Sequence, residues 1–243
     1  MTPVLYIKAL QITAGEEAET RLELDVSVLT LGRGECLAVT GPSGCGKSTL
    51  LEVLALLRRP QSLEKFDFRL DDTSDAMDLG VGAEFGPLLR RGPIGYVPQN
   101  GGILPFLTAR EHIEAPLHFS GIAGDRSARE RLGILAQALD LSDHLGKRRA
   151  ELSGGQRKRV SLLAGLSVPR VLLIADEPTA GLDEETAGRV MRTLASVASE
   201  EGTAIIAATH DTLAAHKAGF ATAEITGSVL AHSAMSLAGR AHG

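Results

Sequence analysis

Nine consecutive residues, Gly41-Pro42-Ser43-Gly44-Cys45-Gly46-Lys47-Ser48-Thr49, constrain this chain more than any other feature. They follow a short apolar strand pattern, Glu35–Thr40, and lead into Thr49–Arg58, where Leu50, Leu51, Val53, Leu54 and Leu57 fall on one helical face. Strand, glycine-rich loop, Lys-Ser and helix in that order form a phosphate cradle. The glycines let backbone N–H groups turn inward around phosphates. The helix start adds partial positive charge. Lys47 supplies a point charge for the β- and γ-phosphates, and the Ser48 hydroxyl is suited to Mg²⁺. A chain built around this loop needs a parallel sheet to hold it. Pro60 is expected to stop the helix.

The rest of the chain is compatible with that core. At 243 residues, 44% hydrophobic and 23% charged, it can bury a sizeable interior and is not disordered. A formal charge of −5 has the wrong sign for gross electrostatic binding to nucleic acid, and 3% aromatics leave few stacking platforms. Nucleic acid is therefore not an expected partner. Two cysteines cannot form a disulfide framework for a domain of this size. The first residues lack a basic segment followed by an apolar one, and no apolar run approaches the ~20 residues of a spanning helix.

Val4–Ile12 and Leu22–Leu29 alternate as half-buried strands, with the polar stretch Thr13–Thr20 between them. Lys65–Leu70 is a further strand, followed by an acidic run expected to be a solvated loop. Gly95–Pro98 is a short strand ending in a turn. Residues 107–145 read as mostly helical, Ser153–Leu166 as a helix, Val171–Ile174 as a buried strand. Asp183 caps a helix to about Ala198, and Ala204–Ala208 is another buried strand. Strand–helix alternation at both ends predicts a parallel α/β core with a helical insertion.

Two further motifs carry chemistry. Val171-Leu172-Leu173-Ile174-Ala175 is an apolar strand that ends in Asp176 and Glu177. Such an ending is common by itself. Downstream of a phosphate loop it places Asp176 to hold Mg²⁺ through water and Glu177 to polarise an attacking water. Leu152-Ser153-Gly154-Gly155-Gln156 opens a helix with an N-cap hydroxyl and free N–H groups, a second anion site. One chain thus carries two phosphate-binding helix starts and one such lysine. Two copies that sandwich each nucleotide would account for both.

With these residues the chain resembles the nucleotide-binding subunits of ABC transporters, from about Leu5 to Ile225. Leu152–Gln156 matches that family's signature loop without change. The resemblance implies that Gln99 senses Mg²⁺ and the attacking water, that Glu177 is the catalytic base, and that His210, in Thr209-His210-Asp211, contacts the γ-phosphate. It also implies that Ala180–Asp183 lets two subunits communicate beside the nucleotide. Tyr96–Gln99 followed by Ile103–Glu111 looks most like the bacterial lipoprotein-release, macrolide-efflux and cell-division ATPases. The implied fold is a RecA-like P-loop NTPase core with an N-terminal antiparallel β-subdomain and an α-helical signature subdomain around 107–160, all within one domain, 1–243.

The activity implied by the resemblance is ATP hydrolysis with Mg²⁺ by a homodimer on the cytoplasmic face of a membrane, driving a separate permease. Lys47, Ser153 in trans, His210 and Gln99 would position and stabilise charge, with Glu177 as base. The permease is expected to dock near Ile103, Leu104, Phe106 and Leu107. The alternatives are a soluble ABC ATPase, as in iron–sulfur assembly, or a slow ATP-switched regulatory module. One departure stands out: relatives place an aromatic near position 14 to stack on adenine, and this chain has Ala14. The tail from Thr226 follows no family pattern.

Overall fold

The computed structural model describes residues 3–14, 22–80, 92–226 and 229–232. Ten described strands form one sheet: β1 Leu5–Ala14, β2 Leu22–Leu31, β3 Cys36–Thr40, β4 Lys65–Phe68, β5 Met77–Asp78, β6 Ile94–Val97, β7 Leu172–Asp176, β8 Ala204–Ala208, β9 Ala221–Thr226 and β10 Val229–His232. Their order is β5-β4-β1-β2-β10-β9-β3-β8-β7-β6. The first four are mutually antiparallel. The stretch from β9 to β6 is parallel throughout. The expected antiparallel unit and parallel core are therefore one continuous sheet, bridged by β10, which runs parallel to β2 and antiparallel to β9.

The described helices are α1 Lys47–Leu54, α2 Ala109–Phe119, α3 Arg126–Ala138, α4 Gly154–Leu166, α5 Glu184–Glu201 and α6 Thr212–Lys217. Side chains on a strand alternate between faces, and the central strands use this to divide the core in two. Leu37 and Val39, Leu172 and Ile174, and Ala204, Ile206 and Ala208 face α1 and the antiparallel strands. Ala38, Leu173, Ala175, Ile205 and Ala207 face α4, α5 and the inserted α2 and α3. The helical insertion between β6 and β7 thus shares its core with one face of the sheet.

Helix starts follow the sequence closely. Thr108 and Ser153 cap α2 and α4 in capping boxes, and Asp125, Asp183 and Asp211 cap α3, α5 and α6. The end of helix α1 does not. It stops at Leu54, well before Pro60, because Leu56 adopts φ 58°. The Leu56 N–H donates to Val53 O at 3.0 Å, and the Leu57 N–H donates to Glu52 O at 2.8 Å. These two bonds close a left-handed cap of the kind glycine usually supplies. One other expectation is revised. The acidic run contributes the edge strand β5, paired to β4. The tail past Thr226 supplies β10.

Candidate functional site

The parallel strands bring the site together at their C-terminal edge, where open α/β sheets bind ligands. Register fixes the order. Val39 pairs with Ala208, Ala208 with Asp176, and Ala175 with Val97. The residues just beyond these pairs are Gly41, His210, Glu177 and Gln99. Four distant segments therefore line one edge in the sequence β3, β8, β7, β6.

The loop after β3 turns through three glycines with positive φ, Gly41 at 144°, Gly44 at 79° and Gly46 at 101°. A side chain on Gly41 would strike the Cys45 sulfur at 2.8 Å, so the Cys45 thiol packs beneath Gly41 rather than into the cradle. Lys47 opens α1 and is buried. Its ammonium donates to Gly41 O at 2.9 Å and to Pro42 O at 3.0 Å, and lies 3.2 Å from His210 Nε2. The same Nε2 is 3.1 Å from Glu177 Oε1. An Nε2 that accepts from Lys47 has no proton to give the carboxylate. Accordingly Glu177 Oε1, though close, is buried with no hydrogen-bond donor.

Glu177 has φ 50°, left-handed for a non-glycine residue. Such a residue stores strain on the order of 1 kcal/mol. The backbone is held there by its N–H, which donates to Ala208 O at 3.0 Å. Asp176 ends β7 and is also buried, with Oδ1 unpartnered. Burial pushes its carboxyl above the usual range; a hydrogen bond from Ser48 and the charges of Lys47 and Lys158 pull the other way. Two buried carboxylates with idle oxygens are costly in an isolated protein. Asp176, beside the Ser48 hydroxyl, fits a divalent cation. Among the described residues no cluster of three His, Cys, Asp or Glu forms a cage. Mg²⁺ takes one or two protein ligands, as Asp176 and Ser48 would supply, and completes its shell with water and phosphate oxygens.

Ser153 lies at the start of α4. Its hydroxyl accepts the Gln156 N–H at 3.2 Å, and Gln156 Oε1 accepts the Ser153 N–H at 2.9 Å. Gly155 is pressed against Leu182, where a Cβ would sit 2.8 Å from Leu182 Cδ2. Gly154 faces open space, with Arg157 its nearest neighbour at 3.9 Å from a Cβ position. The geometry of this chain alone therefore does not explain the glycine at 154. Asp183 spends both carboxylate oxygens on Thr186, as a helix cap. Gln99 is exposed at the β6 end of the row. Pro42, Ser43, Ser48 and Thr49 lie in or next to the loop, as the sequence requires.

One expectation is corrected. Ile103 is 3% exposed and belongs to the core on the α4 face, so it cannot meet a partner. Leu107 is half-buried, whereas Leu104 and Phe106 are exposed, Phe106 to 68%. Two residues were missed. Lys158 reaches from α4 to Ala180 O, and its charge acts on both Asp176 and Glu177. His144, in the 3₁₀ turn Ser142–His144, contacts Gln156. The sequence signal for Lys158 was a cation one turn past the Ser-Gly-Gly; His144 had none. Ala14 ends β1, and residues 15–21, where an adenine-stacking group was sought, lie outside the described residues.

The profile of the family described as "ABC transporter" matches residues 24–180. The chain is 37% identical over 214 residues to a "Lipoprotein-releasing system ATP-binding protein LolD 1" of Caulobacter vibrioides, covering 87% of this chain and 88% of that protein. It is 38% identical over 195 residues to a "Macrolide export ATP-binding/permease protein MacB" of Syntrophobacter fumaroxidans, covering 78% of this chain but only 26% of that protein. Among solved structures, a dimeric ATP-binding cassette in a post-hydrolysis state with ADP and Pi superposes with a TM-score of 0.76 at 26% identity, over 93% of this chain and 96% of the other.

Proposed function

The chain belongs to the ABC transporter family, and on that premise we propose that it is the ATP-hydrolysing subunit that drives a separate membrane permease. Two copies enclose two ATP molecules, each between the Lys47 loop of one chain and the Ser153 loop of the other. The observation that carries this is the pair of buried, idle carboxylate oxygens on Asp176 and Glu177 next to Lys47 and His210. The open side of Gly154 supports the two-chain arrangement, since it leaves room for a phosphate from outside the chain. No described helix is long and apolar enough to cross a membrane, so the spans would come from the partner. The subunit would then work on the cytoplasmic face.

Hydrolysis here is chiefly positioning and charge stabilisation. The N–H groups of residues 41–49 hold the phosphates. Lys47 leaves its carbonyl partners for the β- and γ-phosphate oxygens. Its departure frees His210 Nε2, which in the tautomer carrying its proton there donates to the γ-phosphate. Glu177 Oε1, held by the strained backbone and without a donor, takes the proton of the attacking water, which Gln99 helps to orient. Ser48 and Asp176 would hold Mg²⁺, which supplies charge neutralisation on the phosphates. Asp183, at the head of α5 beside Gly155, lies toward the second copy.

Glu177→Gln tests the proposal. It keeps size and removes the base, and positioned bases are worth ~10²–10⁴ in rate. The variant should bind MgATP, hydrolyse it at least about a hundredfold more slowly and accumulate as a dimer by light scattering. Hydrolysis near the wild-type rate would remove Glu177 from the mechanism. A slow variant that stays monomeric at saturating MgATP would count against the sandwich.

A further inference from the structure

We propose that His144 is the positioning residue of the Ser153 loop, setting the affinity of the two-chain sandwich; this rests on the sandwich described above. The chain of contacts is short. Ser153 N–H donates to Gln156 Oε1 at 2.9 Å, which fixes the amide so that its NH₂ points away from the loop. That NH₂ lies 3.0 Å from His144 Nε2. An amide NH₂ can only donate, so it is Nε2 that accepts in this contact. Were the amide to flip, its NH₂ would oppose the Ser153 N–H and the capping box would open. The Ser153 N–H on one side and His144 Nε2 on the other together hold the amide in its orientation.

The ring itself is anchored. Its Nδ1 is buried without a hydrogen-bond partner, so the side chain is set by packing and by the Gln156 contact rather than by a second polar group. The turn that carries it is tied at both ends: His144 N–H donates to Leu141 O at 2.8 Å, and Lys147 N–H donates to His144 O at 3.0 Å. The following residues accept the first N–H groups of α2, Ala109 to Lys147 O and Arg110 to Leu145 O, both at 2.8 Å. One imidazole thus links the serine loop to the turn that meets the start of α2. Because Ser153 serves the nucleotide held by the other chain, loss of the link should weaken assembly and leave ATP binding by a single chain intact.

The test uses the full-length Glu177→Gln protein with His144 intact, His144→Gln or His144→Leu. Gln can accept from Gln156; Leu has similar bulk and no acceptor. Monomer affinity for MgATP is read by calorimetry below the dimer threshold, and the dimer dissociation constant by light scattering. One hydrogen bond is worth about fivefold in an equilibrium constant, and a dimer holds two such loops, so His144→Leu should weaken the dimer about 25-fold. Monomer affinity should be unchanged, and His144→Gln should lie within about threefold of the parent. Equal dimerisation of the Leu and parent proteins overturns the proposal. So does a Gln variant as weak as Leu, which would make the role one of packing, or loss of monomer binding, which would make it one of general scaffolding. A parent that fails to dimerise with MgATP brings down the sandwich itself, and the role of His144 with it.

Discussion

Two helix glycines, Gly165 in the last turn of α4 and Gly133 in the middle of α3, should respond to alanine in opposite ways. Gly165, on α4, lies directly over β6: a Cβ there would sit 2.4 Å from Val97 Cγ2. Carbon atoms pack at about 3.5–4.0 Å, so the contact is more than an ångström short. Val97 is buried within the sheet and cannot swing aside. Overpacking of this kind costs about 1–3 kcal/mol, while alanine in place of glycine returns about 1 kcal/mol of helix propensity. The net expectation for Gly165→Ala is a loss of up to about 2 kcal/mol. Gly133, on α3, has nothing within 4 Å of its Cβ position. Gly133→Ala should therefore gain about 1 kcal/mol. The two variants should differ by about 1–3 kcal/mol, or roughly 2–12 °C in Tm for a chain of this size. Urea unfolding with unchanged slope, read beside thermal melts, measures this directly. ATPase activity gives a second signal, because α4 carries Ser153 at its head and Val97 lies two residues before Gln99. Gly165→Ala should lower turnover and Gly133→Ala should not. If both variants gain stability alike, helix propensity alone governs and the seating of α4 on β6 is refuted.

Three other outcomes are expected. Burial raises the Asp176 carboxyl above its ordinary value, so the folded protein holds that proton more tightly than the unfolded chain, and stability falls as pH rises through the ordinary carboxylate range. At neutral pH the buried charge is destabilising, so Asp176→Asn should melt higher than wild type without nucleotide and gain less than wild type from MgATP; a lower melting point in scanning fluorimetry would contradict this. Phe106→Asp should leave the fold intact by circular dichroism and abolish co-purification with the permease, whereas unfolding of the isolated subunit would show Phe106 to be structural. Without an aromatic at position 14, base stacking worth ~1–3 kcal/mol is missing, so ATP and GTP should compete within about tenfold; a strong preference for ATP in a competition titration would mean another residue grips adenine.

Where local chemistry decides, the structure was legible in the sequence. Thr108, Ser153 and Asp183 have one good use before a helix, and each caps one. The glycines of the phosphate loop and the apolar runs before Asp176 and Thr209 likewise allow little else. What escaped depends on partners distant in sequence. Leu56 in a left-handed cap defies its intrinsic preference. Ile103 and Phe106 are three residues apart and equally apolar, yet one is core and the other exposed, because only the fold puts α4 against the first. Strand β10 has a pattern too short to read by itself and exists through pairing with β9 and β2. His144 gave no local hint, since its partner Gln156 lies across a turn.

The placement of β3 bears on when the chain can first bind nucleotide during its synthesis. The strand that launches the phosphate loop has β8 on one side and β9 on the other, both from the last fifth of the chain. A nascent polypeptide that already includes Lys47 and Ser48 must therefore wait for roughly 180 more residues before the strand beneath them has neighbours. At ~5–20 residues per second that interval is on the order of 10–40 s. Pairings so far apart also make folding slow. ATP thus cannot serve as an early template for the N-terminal half; it can bind in the cradle only once β8 and β9 have emerged.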